Sequence, residues 1–180
     1  MVADSLSTAS IIGNLGTRFI GKRVIYYPNL PSTMEIARQE ARQGAVAGTV
    51  VVADEQTAGR GRLKRVWLSP EGSLALSVIL YPSVAYLPSL IMVASLAVAH
   101  SIGAVTGLKS QLKWPNDVLV NGRKVAGILI ENSVRGNMVD YAIIGIGVNV
   151  NLRLADFPEI PPTATSLSDE LGRGMSRLSL

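Results

Sequence analysis

Four cations crowd into six residues of the segment 57–67, TAGRGRLKRVW: Arg60, Arg62, Lys64 and Arg65. Gly59 and Gly61 are interleaved with them, and Trp67 closes the run. Glycines let backbone N–H groups turn toward an anion, and guanidinium groups offer forked donors that match carboxylate or phosphate oxygens. The segment is not a Walker A loop, because Gly-x-x-x-x-Gly-Lys-Ser/Thr is absent. A solvated basic turn and an RNA contact fit the same residues.

Three further stretches carry polar chemistry. In KWPND at 113–117, Pro115 forces Trp114 out of helical geometry, so Asn116 and Asp117 present an amide and a carboxylate on an extended turn. Such a pair suits a hydrated Mg²⁺ or a nucleotide, and it also suits a plain turn. KVAGILIE at 124–131 begins with a cation and then turns apolar. Its Gly127 weakens a strand unless a ligand or another backbone comes close, a bulge being the bland alternative. IGIGVNVN at 144–151 places small glycines and then Asn149 and Asn151 where a strand should end, to serve a ligand or to cap a turn.

These segments need elements to hold them. Ser32-Thr33-Met34-Glu35 has the capping-box pattern and predicts a helix over 33–43, ended by Gly44. The β-branched run TVVVA at 49–53 predicts a buried strand, and LALSVILY at 74–81 another, stopped by Pro82. A long apolar helix is expected over 87–105, then short strands at 111–114 and 118–120. Asn121-Gly122 is a two-residue hairpin signal leading into 124–131, since a type I′ turn needs positive φ at both positions. A returning strand over 137–146 follows the turn Arg135-Gly136, and a short helix starts near Ser166. The pattern predicts an α+β fold: a mostly antiparallel mixed sheet with helices packed on one face.

The composition narrows the function. The 180 residues, 48% of them hydrophobic, suffice for one packed domain. No cysteine is present, which removes disulfides, thiolate metal sites and cysteine nucleophiles and fits a reducing compartment. A single histidine, His100, leaves little room for a His-based zinc site or a catalytic triad. The net charge of +4 favours an anionic partner. No signal peptide is evident at the start, and the uncharged stretch between Glu71 and Lys109 reads as a helix buried against a sheet rather than a membrane span.

Taken together, ST at 32–33, QTAGRGR at 56–62, Trp67, KWPND at 113–117, KVAGILIE at 124–131 and GVN at 147–149 closely resemble the catalytic domain of biotin protein ligases, that is, of biotin–[acetyl-CoA-carboxylase] ligase. The resemblance covers about residues 26–171, with 1–25 as an N-terminal extension and 26–180 as the catalytic domain. It implies the fold shared with class II aminoacyl-tRNA synthetases and a cytoplasmic two-step reaction. Biotin and ATP, with Mg²⁺, give biotinyl-5′-adenylate, whose biotinyl group passes to a lysine of a biotin carboxyl carrier protein. By the same resemblance, Arg60, Arg62 and Lys124 are the catalytic cations. Ser32, Thr33, Gln56, Gly59, Gly61 and Gly127 join them around biotin, and Asn116, Asp117 and Asn149, with Arg62, surround ATP and its metal. Trp67 and Trp114 are expected to shape the site from the core.

Two departures are visible. Met34 stands where many relatives carry a polar residue, and the chain ends at Leu180, where the family usually continues into a small SH3-like domain. The 25 residues ahead of the first motif are too few for a winged helix, so no DNA partner is expected. A homodimer through a sheet edge is an arrangement the resembled family uses. The alternatives are a lipoate ligase-type enzyme of the same fold and a basic nucleic-acid-binding module. The octanoyl-transfer branch needs a cysteine this chain lacks.

Overall fold

The computed structural model describes residues 5–180. Its elements run α1 (Thr8–Asn14), β1 (Val24–Leu30), α2 (Thr33–Arg42), β2 (Val50–Gln56), β3 (Leu74–Leu80), α3 (Leu90–Thr106), β4 (Ser110–Lys113), β5 (Asp117–Val120), β6 (Arg123–Arg135), β7 (Met138–Val148) and α4 (Leu167–Leu171). The strands form one sheet in the order β1-β2-β3-β7-β6-β5-β4. Only β1 and β2 run parallel; every other neighbouring pair is antiparallel. The mixed, mostly antiparallel α+β arrangement is the one the sequence predicts.

β1 was not legible in the sequence, because Pro28 sits inside VIYYPNL. Proline cannot donate to a ladder, yet an edge strand tolerates it. Here Tyr27 pairs with Ala53 and Asn29 with Glu55, and the proline between them needs no partner. The helix α1 was also unforeseen; Ser7 caps it, its Oγ accepting from Ser10 N while its own N–H donates back to Ser10 Oγ. Leu6, Ile11 and Ile20 pack this leading segment onto the core.

Helices cover both faces of the sheet, not one. Val50 and Val52 of β2 join Val78, Ile144 and the α3 residues Ala94, Val98 and Ile102 on one face. Val51 and Ala53 point the other way and join Ile79, Ile143 and the α2 residues Met34, Ala37 and Ala41. The reason is topological: α2 is the crossover between parallel β1 and β2, and it passes over the face that α3 leaves free. The unbroken run Val50-Val51-Val52-Ala53 fits a strand buried on both sides.

Ser32 is the N-cap of α2 but makes no side-chain cap bond, so the expected capping box does not form. Ser32 is buried and lines the cavity described below. α3 follows a 3₁₀ turn at Val84–Ser89 and is only half covered. Ala94, Ser95, Val98 and Ile102 meet the sheet, while Met92, Val93, Leu96 and Val105 are exposed. Val84–Thr106 is long and apolar enough to cross a membrane by length and composition alone. The β5–β6 turn is as predicted, with φ of 49° at Asn121 and 75° at Gly122. At the C-terminal end, Arg177 is buried and pairs with Asp54 at 2.8 Å while donating to Ser73 O at 3.0 Å. The Tyr26 hydroxyl donates to the same carboxylate; that bond, with burial second, pushes its pKa up to about 12.

Candidate functional site

The α2 face of the sheet carries a floor without side chains. Gly127 on β6 pairs with Gly147 on β7, and Ser77 on β3 pairs with Gly145. A Cβ at Gly145 would lie 2.4 Å from Met34 Sδ, and one at Gly147 would lie 2.5 Å from Trp67 Nε1. These glycines admit large side chains onto the sheet, where no other residue type fits. Above this floor is a cavity of about 500 Å³.

The glycine–arginine segment forms the roof as a miniature hairpin. Trp67 N donates to Gly59 O at 2.9 Å, Gly61 N donates to Arg65 O at 2.8 Å, and Arg60 bridges Val66. Gly59 is required for this closure, because a Cβ there would lie 2.3 Å from the Trp67 carbonyl oxygen. The N–H of Gly61 is therefore committed to the loop and is not offered to an anion. At the tip, Leu63 and Lys64 both hold positive φ, 55° and 59°, conformations that cost non-glycine residues energy. Arg60 pairs with Glu131 at 3.2 Å, and Arg62 Nη1 donates to Asn116 Oδ1 at 3.1 Å.

Lys124 reaches the same cavity through a break in strand register. Leu119 pairs with Lys124 but Val118 with Ala126, so β6 carries one extra residue at this point. Such a bulge re-aims a side chain. Lys124 Nζ thereby lies 3.3 Å from the Cβ position of Gly127, 5.3 Å from the Trp67 ring centroid and 2.6 Å from Asp117 Oδ1. The backbone groups set free by the bulge find partners nearby: Lys124 N donates to Thr163 O, Thr165 N to Lys124 O, and Asn149 N to Val125 O, each at 2.8 Å.

The neutral polar groups form a chain. Ser77 Oγ donates to Thr33 Oγ1 at 2.8 Å, Thr33 Oγ1 donates to Gln56 Oε1 at 3.1 Å, and Thr33 N donates to the same oxygen at 2.8 Å. With its carbonyl occupied twice, Gln56 has its amide –NH₂ fixed as a donor. Asn149 is buried, and its Nδ2 donates to Thr165 O at 3.0 Å. Asn116 is held against β6 by two bonds, Ile128 N to its carbonyl and its Nδ2 to Ile128 O.

Ser32, Thr33, Gln56, Arg60, Gly61, Arg62, Asn116, Asp117, Lys124, Gly127 and Asn149 all line this one cavity. Gly59 alone among the expected residues does not; it shapes the roof from behind. Trp67 is a cavity wall, with an indole N–H that is buried and has no hydrogen-bond partner among the described residues. Trp114, expected in the core, is 74% exposed. Met34 lays its side chain over Gly145 and lines the cavity. Sequence reading missed Ser77, whose only signal is a hydroxyl on the inward face of an apolar strand. It also missed the segment from Glu159 to Ala164, which closes one side of the cavity. Among the described residues no group of three or more His, Cys, Asp or Glu could hold a metal ion.

Known proteins share this sequence and fold. The pattern of the biotin/lipoate A/B protein ligase family matches residues 26–149. The bifunctional ligase/repressor BirA of Bacillus subtilis is 44% identical over 176 residues, covering 96% of this chain and 54% of its own length. The chain thus spans about half the length of the curated relatives it matches. The biotin protein ligase of Aquifex aeolicus, solved with biotin and ATP, superposes with a TM-score of 0.67 at 35% identity, covering 87% of this chain and 64% of its own. The ligase of Leishmania major, solved with biotinyl-5-AMP, gives 0.69 at 28% identity, covering 88% and 70%.

Proposed function

The chain belongs to the biotin/lipoate A/B protein ligase family, and we propose that it activates biotin with ATP and passes the biotinyl group to a lysine of a biotin carboxyl carrier protein in the cytoplasm. One observation carries this reading: Arg60, Arg62 and Lys124 converge on a single cavity that also holds Ser32, Thr33 and Gln56. One ligand therefore meets neutral hydrogen-bonding groups and fixed positive charge together, which suits a molecule with an uncharged ureido ring and a carboxylate.

In the first step the biotin carboxylate attacks the α-phosphorus of ATP, the new anhydride P–O bond forms and pyrophosphate leaves. Two anions have to meet, so their repulsion must be offset where the bond forms. Arg60, Arg62 and Lys124 supply that charge without any proton transfer. Gln56, locked as a donor by Thr33, orients the ureido carbonyl. Asp117 is one carboxylate, with Asn116 beside it: too few oxygens for a resident metal cage, enough to help hold a hydrated Mg²⁺ brought by the nucleotide. Bound there, Mg²⁺ would neutralise phosphate charge. In the second step the acceptor amine attacks the anhydride carbonyl, an amide forms, AMP leaves and the amine's proton goes to solvent. The roof loop excludes water from the anhydride meanwhile. The two sheet edges, β1 and β4, are where a homodimer of the expected kind would join.

The test is incubation with biotin, ATP and Mg²⁺, reading pyrophosphate and biotinyl-5′-AMP. Biotin-dependent release is expected. Release supported by lipoate instead, or salt-sensitive nucleic-acid binding with no biotin binding, would overturn the assignment.

A further inference from the structure

The roof loop is fastened to β6 at two places. Arg62 is held by Asn116, which is itself bonded on both sides to Ile128. Arg60 is held three residues further along the strand, at Glu131, roughly 10 Å away at the usual strand rise. The first fastening lies within the cavity wall. The second does not: Glu131 is not among the lining residues. Its other carboxylate oxygen, Oε2, accepts from Arg38 Nη2 at 3.3 Å, and Arg38 belongs to α2. One carboxylate thus stands between two guanidinium groups from two different elements.

Stability does not explain this arrangement. All three side chains are between 29% and 45% exposed, and ion pairs at such sites add little to folding. Geometry does. Arg60 sits on a loop whose backbone is strained at its tip, and its long side chain has many rotamers. A carboxylate ion-paired with it at 3.2 Å, and itself accepting a hydrogen bond from Arg38, holds the guanidinium on the Glu131 side of the loop. The trio carries one net positive charge, so Arg60 keeps donors and attraction for an incoming anion.

We propose that Glu131, anchored by Arg38, is a positioning residue that orients Arg60 for the anionic reactants. The proposal rests on the biotin-activation reading for its kinetic consequence, but its structural consequence stands apart from it. Glu131→Gln should lower kcat/KM for biotin in adenylate formation on the order of 10–100-fold, the scale of a small misplacement of a reacting group. Glu131→Asp should retain more activity than Glu131→Gln. Because Glu131 acts through Arg60, the double variant Arg60→Ala/Glu131→Gln should be no slower than Arg60→Ala alone. Without any ligand, trypsin should cut the 60–65 segment several-fold faster in Glu131→Gln than in the wild type, at an unchanged melting temperature. Additive kinetic losses, or a trypsin rate equal to that of the wild type, would overturn the proposal. A wild-type protein that releases no pyrophosphate with biotin and ATP would instead refute the function, and the trypsin comparison would still decide the role of Glu131.

Discussion

Two walls of the same cavity are built in opposite ways. The side formed by residues 149–172 is held by backbone and buried polar bonds: Asn149 Nδ2 to Thr165 O, Leu167 N to Asn149 O and Ser166 Oγ to Leu152 O. Glu170 adds a hub there, accepting from Thr165, Asn121 and Arg123. The roof at 57–67 is closed on itself by backbone bonds but fastened across the cavity by exposed arginines, and its tip carries Leu63 and Val66 at 81% and 76% exposure. Buried hydrogen bonds are costly to break, whereas exposed ion pairs exchange readily with solvent and ligands. A site that must enclose a hydrolysable anhydride and then admit a lysine needs one fixed wall and one that yields. Substitutions in the fixed wall should therefore cost stability, and substitutions in the roof and its cations should cost turnover.

The largest expected effect belongs to Lys124→Ala. It should slow adenylate formation about 10²–10³-fold, as loss of one charge-stabilising donor typically does. The melting temperature should barely move, and steady-state pyrophosphate release beside a thermal melt measures both. Next is Asn149→Ala, which strands the Thr165 carbonyl in a buried setting. A loss of about 1–3 kcal/mol is expected, a fall of about 2–4 °C in Tm per kcal/mol. A roof-like result there, slow but fully stable, would break the distinction.

A smaller effect is expected from Glu170→Gln. Burial alone would raise the Glu170 pKa, but the bonds from Thr165, Asn121 and Arg123 outweigh it and hold the carboxyl below its ordinary value of 4.5. A depressed carboxylate stabilises the fold above its unfolded pKa, and that stability is lost as pH falls through the folded value. Denaturant melts should show the variant destabilised at neutral pH, with the gap closing below about pH 4. Smallest is Lys64→Gly, where relief of the positive φ and the added chain entropy of glycine offset to within about 1 kcal/mol. Its Tm should stay within about 4 °C of the wild type.

Much of this was legible from particular residues. Asn121-Gly122 announced its turn because both positions need positive φ, a β-branched run announced β2, and alternation ended by Pro82 announced β3. The cations and glycines of the site were readable because few structural roles require them in that order. Pairing geometry was not. The bulge that turns Lys124 toward Gly127 depends on where β5 meets β6, and no local preference encodes that. β1 was hidden by Pro28, whose edge position is a property of the whole sheet. Trp114 is apolar yet exposed, and Ser32 has a capping residue's identity without its bond. In each case the tertiary surroundings decided what the residue type left open.

The most direct measurement is single-turnover formation of biotinyl-5′-AMP by the wild type and by Arg62→Ala, with biotin and ATP saturating. If cations at the cavity let two anions react, the wild type forms the adenylate and Arg62→Ala forms it about 10²–10³ times more slowly. Equal rates in the two proteins, or no adenylate from the wild type, would contradict it.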